Sequence, residues 1–200
     1  GYKAVGYEAE YHKFQVHRDT LGEAVKGLKA LGFSGWNVTV PHKEAIIPYL
    51  DELTQEAQLA GAVNTVKVDQ GRLIGHNTDG IGLLRSLKEH MALVGQPRIV
   101  LLGAGGAAKG IAMALAPFEA ELVVLNRSEM RGAELVRQIK EFGGQATQEP
   151  WGRGEWLTQA DCVIQTTSIG LKNEDYPFSL EGIKPGTLVV DIIFNPWETP

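Results

Sequence analysis

Residues 103–108, Gly-Ala-Gly-Gly-Ala-Ala, have the types and spacing of a phosphate cradle. In the pattern Gly103-x-Gly105-x-x-Ala108 the first glycine permits a tight turn. The second lets a pyrophosphate approach the backbone because no Cβ intervenes. Ala108 is small enough for a helix to pack closely on its strand, and the free N–H groups at that helix start attract anions. The ordinary alternative is a tight strand-to-helix turn with no ligand. An NAD site places an Asp or Glu about 20 residues further on, to hold the ribose 2′-hydroxyl. Here the position is Asn126, followed by Arg127 and Ser128. A guanidinium grips a 2′-phosphate that a carboxylate would repel. Ser128 can cap the next helix and donate to the same phosphate. Arg131 falls in that helix's first turn, where a cation is unfavourable without an anion nearby. Two surface arginines are the plain alternative; the combination favours NADP.

A second set of polar groups lies earlier: Thr39 and Lys43 in Asn37-Val-Thr-Val-Pro-His-Lys43, Asn64 in Gly61-Ala-Val-Asn-Thr65, and Asp79 in Asn77-Thr-Asp-Gly80. Lys43 is expected in a first helical turn, a poor place for a cation unless it is wanted there. Taken singly, an exposed Lys, a turn Asn and a helix N-cap Asp would account for three of them.

The elements that must hold these groups follow from periodicity. Residues 99–102 and 121–125 are short apolar runs, the pattern of parallel strands buried on both faces. Residues 161–164 and 188–193 repeat it, with Thr166, Thr167 and Ser168 at the end of the first, where an open α/β sheet binds ligands. Ala108, Ile111, Ala112 and Leu115 form one helical face, and residues 128–142 a further helix with Leu135, Ile139 and Phe142 inward. In the first half, residues 10–16 alternate like a strand. Thr20 opens a helix with Leu21, Ala24, Val25, Leu28 and Leu31 on one face, stopped by Gly32. Residues 35–41 read as a strand with Val38 and Val40 on one side, making a second βαβ unit. Helices are expected over 42–50 and 51–59, then a hairpin turning at Asp69-Gln-Gly-Arg72. Residues 79–89 look helical despite their glycines and connect the halves. Trp151, Trp156, Tyr176 and Phe178 read as packing residues in loops.

Composition sets the remaining bounds. Two hundred residues with 44% apolar and 22% charged residues suit one large or two small globular domains. A net charge of −5 gives no basic footprint for nucleic acid. Cys162 is the only cysteine, so no disulfide is expected and a reducing, cytoplasmic setting is. No metal-ligand cluster, signal peptide or membrane span is expected: the most apolar window, 99–118, holds Lys109 and four glycines.

Together with Gly103-Ala-Gly-Gly-Ala107, Asn126-Arg-Ser128 and Asp191-Ile-Ile-Phe-Asn-Pro196, the three earlier segments resemble the shikimate dehydrogenase family in order and spacing, over nearly all of residues 7–200. The resemblance implies an α/β fold of two domains: a smaller α/β substrate-binding and catalytic domain over 1–82 and a Rossmann-type NADP-binding domain over 83–200. It implies NADP(H)-dependent, reversible reduction of 3-dehydroshikimate to shikimate, in chorismate and aromatic amino-acid biosynthesis. Lys43 and Asp79 match the family's catalytic pair. Thr39 and Asn64 match residues on the substrate hydroxyls. Gly103, Ala104, Gly105, Gly106, Ala107, Asn126, Arg127, Ser128 and Arg131 match the cofactor segments, with Thr167 and Ser168 the loop after the fourth strand. Phe194 stands at a substrate-side position where the family usually has Tyr. The family's Ser-x-Ser-Pro loop and closing C-terminal helices have no counterpart in these residues, so the first domain is expected to be incomplete. A monomer or homodimer acting on a small molecule, without nucleic acid or membrane, completes the expectation. An NAD-preferring quinate/shikimate enzyme and a non-catalytic sensor on the same fold are the alternatives. An acidic residue at the Asn126 strand end would favour the former, and loss of Lys43 or Asp79 the latter; neither is found.

Overall fold

The computed structural model describes residues 4, 6–90, 95–170, 179 and 182–193. Helix α1 (Leu21–Ala30) buries Leu21 and Val25, and the chain leaves it through Gly32 at φ +75°. Strands β1 (Gly35–Asn37) and β2 (Glu52–Leu53), helix α2 (Gln55–Ala60), and strands β3 (Thr65–Asp69) and β4 (Arg72–His76) follow. They form a four-stranded sheet in the order β1-β3-β4-β2. β3 runs antiparallel to both its neighbours, and β2 runs parallel to β4. The β3–β4 hairpin closes at Gln70 (φ +48°) and Gly71 (φ +76°), the two left-handed residues that a type I′ turn requires. Val66 and Leu73 face α1, Ile46 and Ala57 in one small core, leaving Asn37, Thr65 and His76 on the opposite face.

Helix α3 (Asp79–His90) carries the chain into the second sheet. There β5 (Arg98–Leu102), α4 (Gly106–Leu115), β6 (Glu121–Leu125), α5 (Glu129–Glu141), β7 (Gln145–Glu149), β8 (Cys162–Gln165) and β9 (Leu188–Asp191) form an all-parallel sheet. Its order, β7-β6-β5-β8-β9, reverses direction between β5 and β8. That reversal is the topological switch point of a doubly wound α/β fold, and ligands bind beyond the strand ends there. Alternate residues serve two cores: Ile99, Leu101, Leu122, Val124 and Ile164 pack under the helices, and Val100, Leu102, Val123, Leu125 and Val163 meet Trp156 and Leu157 on the other face.

The two sheets are joined tightly by glycine. A Cβ on Gly80 of α3 would overlap the carbonyl oxygen of Gly110 in α4, lie 2.7 Å from that carbonyl carbon and 3.1 Å from Ala114 Cβ. The helix that begins with Asp79 therefore crosses the helix that begins at the glycine turn in backbone contact.

Several expectations need correction. Residues 10–16 form no strand; Tyr11 and Phe14 are exposed and only Val16 reaches the core. Without that strand the expected second βαβ unit is not formed among the described residues, and β1 pairs antiparallel instead. β1 stops at Asn37, so Val38 is buried while Val40 is exposed. Residues 42–50 form turns and a short 3-10 helix rather than an α-helix, and 52–53 are a strand. Lys43 thus sits in a turn, and the dipole argument made for it does not apply. Leu31 and Phe142, expected inward, are 76% and 44% exposed, because each lies one residue past its helix end. β7 was not expected: Gln145-Ala-Thr-Gln-Glu149 is too polar to read as a strand, and its edge position explains why it can be. β9 is shorter than 188–193, and Val189 on it is 53% exposed. Trp156 packs as expected; Tyr176 and Phe178 lie outside the described residues.

Candidate active site

The turn after Val38 is built to aim Lys43. His42 N–H donates to Thr39 O (2.9 Å) and Ile46 N–H to His42 O (3.0 Å), while the Lys43 carbonyl accepts Val63 N–H at 2.7 Å. The His42 ring adds a contact of 2.9 Å between Nε2 and Val16 O. Asn64, next after Val63, donates its N–H to His76 O (3.0 Å) and accepts Val38 N–H at 2.8 Å, so both neighbouring strands fix it. Asp79 opens α3, and its N–H donates to Asn77 Oδ1 at 3.1 Å. Asn77 is buried and donates from Nδ2 to Ala62 O at 3.0 Å, tying the start of α3 to the segment that carries Asn64.

These three backbones bring their side chains together. Lys43 Nζ lies 2.7 Å from Asp79 Oδ2, and Asn64 Nδ2 donates to Asp79 Oδ1 at 2.7 Å. The ion-paired side chains retain 24% and 29% exposure, so the pair faces solvent on one side. Asn64 Oδ1 accepts from Thr78 N–H (3.1 Å) and from Thr65 Oγ1 (3.0 Å). The arrangement is a cation held by a carboxylate whose second oxygen is held by an amide. It can deliver a proton, or a positive charge, to an oxygen that becomes negative. Thr39 lies exposed in the turn before Lys43, and its hydroxyl makes no hydrogen bond among the described residues.

The glycine turn lies opposite. A cavity of about 720 Å³ is bounded by Ala104, Gly105, Lys109, Met130, Arg131 and, from the lysine turn, Glu44. Glu44 Oε1 is 3.8 Å and Ala62 Cβ 2.9 Å from the point a Cβ on Gly106 would occupy. Gly103 takes φ +112°, with Thr166 Oγ1 2.5 Å and Thr167 Cγ2 3.3 Å from its missing Cβ, so the loop after β8 closes directly on the turn. Thr167 accepts Ile169 N–H at 3.1 Å, and Ser168 is exposed beside it. No atom approaches within 4 Å of a Cβ on Gly105, the residue that caps α4, and Ala107 lies in that helix's first turn. That open approach is what a phosphate cradle at this position requires.

Asn126 Nδ2 donates to Ser128 O at 2.8 Å, and Ser128 caps α5 by accepting Arg131 N–H at 3.5 Å. Among the described residues neither Arg127 nor Arg131 has an ion-pair partner, and both are exposed. Glu129, between them at the start of α5, forms an ion pair with neither among the described residues, and the next acid along the helix, Glu134, is already engaged. Hydrogen bonds from Arg137 and Gln138 lower its pKa to about 2, and Arg137 is raised in return. Two guanidinium groups without ion-pair partners among the described residues, one just past β6 and one in the first turn of α5, fit a bound phosphate.

Sequence reasoning did not single out Glu44, Lys109, Met130 or Arg137 as lining, nor Asn37, Thr65, Asn77 and Thr78 as support. Lys109 follows the glycine motif directly and was within reach of the pattern. The others are joined only by folding. Phe194 lies outside the described residues.

Known proteins resemble this chain over nearly all of its length. Residues 1–66 match the family described as the shikimate dehydrogenase substrate binding domain, and residues 86–192 match shikimate / quinate 5-dehydrogenase. A protein of Desulfitobacterium hafniense named shikimate dehydrogenase (NADP(+)) is 76% identical over 200 residues, all of this chain and 73% of that protein. A solved shikimate dehydrogenase in complex with NADP+ superposes with a TM-score of 0.89 at 37% identity, over 99% of this chain and 71% of that one. The ligand-free 5-ketofructose reductase of Gluconobacter sp. strain CHM43 superposes at 0.88 with 38% identity, over 99% and 73%.

Proposed function

The chain belongs to the shikimate dehydrogenase family, and from that premise we propose how its residues share the work. The activity is an NADP-dependent oxidoreduction, the reversible reduction of 3-dehydroshikimate to shikimate in aromatic amino-acid biosynthesis. The fold alone does not choose the ketone, since a 5-ketofructose reductase shares it; the 76% identity to a shikimate dehydrogenase does.

The observation that carries the residue assignment is the 2.7 Å pair of Lys43 and Asp79, braced by Asn64 and set in the turn that faces Gly105. NADPH, when bound, supplies the hydride. Lys43 holds a proton at Nζ and gives it to the carbonyl oxygen as negative charge builds there; in reverse it receives the hydroxyl proton. Asp79 keeps the ammonium in place and accepts from a substrate hydroxyl. Asn64 and Thr39 supply further polar contacts to the substrate ring. Gly103, Ala104, Gly105, Gly106 and Ala107 would receive the pyrophosphate, Asn126, Arg127, Ser128 and Arg131 the 2′-phosphate, and Thr167 and Ser168 the nicotinamide end. The residues fit NADP because Gly105 is open, two arginines have no ion-pair partner among the described residues and no carboxylate ends β6.

We assign residues 1–82 to the substrate and 83–200 to the cofactor. The enzyme is read as cytoplasmic, a monomer or homodimer, with small molecules as its only partners. A net charge of −5 offers no basic footprint for nucleic acid, and no helix among the described residues is long and apolar enough to cross a membrane.

The test is turnover of Lys43→Ala and Asp79→Asn, followed through reduced-nicotinamide absorbance with shikimate and NADP. Loss of general acid–base catalysis predicts a fall in kcat of roughly 10²- to 10⁴-fold with a much smaller change in KM. Wild-type kcat in Lys43→Ala would end the assignment.

A further inference from the structure

The hydrogen bond from Asn64 to Asp79 is the last link of a longer series that runs back through the first sheet. Its direction is forced from the carboxylate end. Ionised Asp79 only accepts, so Asn64 must present Nδ2 to it, at 2.7 Å. Asn64 Oδ1 must then accept, and Thr65 Oγ1, 3.0 Å away, must donate to it. The hydroxyl has one proton, so it faces Asn37 with a lone pair, and Asn37 Nδ2 donates to it at 3.2 Å. Asn37 Oδ1 in turn accepts from the Tyr11 hydroxyl at 3.1 Å. Every donor in the series Tyr11, Asn37, Thr65, Asn64 points toward Asp79, the arrangement in which successive hydrogen bonds polarise one another.

Register explains why the series is continuous. Thr65 stands directly opposite Asn37 across β1–β3 and opposite His76 across β3–β4, on the sheet face turned away from the core. Val66, on the other face, is buried. A hydroxyl is thereby held between the two amides by strand pairing and not by chance proximity.

We infer that Thr65 is a positioning residue for the reduction: its hydroxyl holds the oxygen end of the Asn64 amide, so that Nδ2 occupies Asp79 Oδ1 and Oδ2 is left for Lys43. Thr78 meets the same amide through its N–H (3.1 Å from Oδ1) and its hydroxyl (3.3 Å from Oδ1, 3.0 Å from Nδ2), but both come from the loop before α3, whereas Thr65 fixes the amide to the sheet. The inference rests on Lys43 and Asp79 being the reacting pair.

The experiment compares Thr65→Val, Thr65→Ser, Asn64→Ala and the Asn64→Ala/Thr65→Val double variant in the full-length protein, with Lys43→Ala as control. Val keeps the shape and removes the donor; Ser restores it. Thr65→Val is expected to lower kcat/KM for shikimate roughly tenfold, with KM for NADP unchanged and Thr65→Ser close to wild type. The double variant is expected to be no slower than Asn64→Ala alone, because the hydroxyl acts only through that amide. Thr65→Val within twofold of wild type, or losses that multiply in the double variant, would overturn the inference while a defective Lys43→Ala leaves the site assignment standing. An active Lys43→Ala would overturn both.

Discussion

The contact between Gly80 and Gly110 gives the sharpest test of how the two sheets are joined. Gly80→Ala adds one methyl at a point that overlaps the Gly110 carbonyl oxygen, 2.7 Å from its carbon and 3.1 Å from Ala114 Cβ. All but one of these atoms are backbone, so no side chain can rotate away. Ordinary contact requires α3 and α4 to part by roughly 1 Å, and overpacking of this kind costs about 1–3 kcal/mol. For a chain of this size that is a fall in Tm of roughly 2–12 °C. The functional effect follows from position, because Gly80 is adjacent to Asp79 and Gly110 lies within the helix that begins at the glycine turn. A displacement of about 1 Å between catalytic groups costs on the order of 10²-fold in rate. Gly82, with nothing within 4 Å of its Cβ position, supplies the matched control in the same helix. Thermal melts and steady-state rates of Gly80→Ala and Gly82→Ala test this together. A Gly80→Ala protein with unaltered Tm and kcat would refute the claim that the helices cross in backbone contact.

Other outcomes follow from the same structure. Arg131→Ala and Arg127→Ala should each raise KM for NADP by about tenfold or more while leaving activity with NAD little changed, since each removes a charged hydrogen bond to a phosphate that NAD lacks; equal losses with both cofactors would count against the 2′-phosphate assignment. Burial pushes the Cys162 thiol up to about 12, with the neighbouring Asp161 adding to it, so thiol reagents should label the native protein only at its unfolding rate; rapid stoichiometric labelling would contradict that burial. Lys184 Nζ at 2.7 Å and Arg98 N–H at 2.8 Å hold Asp161 below its ordinary value of 3.8. A lowered folded-state pKa gives stability that is complete above the ordinary value and is lost as pH falls through the lowered one. The Tm difference between wild type and Asp161→Asn should therefore be constant near neutrality and shrink below about pH 4; a difference that grows there would reverse the sign of the argument.

What the residues alone determined is the centre of the cofactor half. Runs such as 99–102 and 121–125 bury on both faces whatever surrounds them, and a glycine turn between strand and helix follows from local backbone freedom, so β5, α4 and β6 are legible without a partner. Lys43, Asn64 and Asp79 were also visible as unusual, through their motifs. Their meeting was not, because Lys43 sits in a turn that has no period to read and Asp79 lies 36 positions away in sequence. Strands in both sheets went astray for a related reason. Residues 10–16 alternate well but find no strand to pair with, while β7 alternates poorly and is held by β6. Pairing across a sheet is a long-range choice, made by whichever edge is free, and local pattern carries no record of it. The crossing at Gly80 and Gly110 and the donor series through Thr65 belong to the same class: each joins segments that only the folded chain brings within a few ångströms.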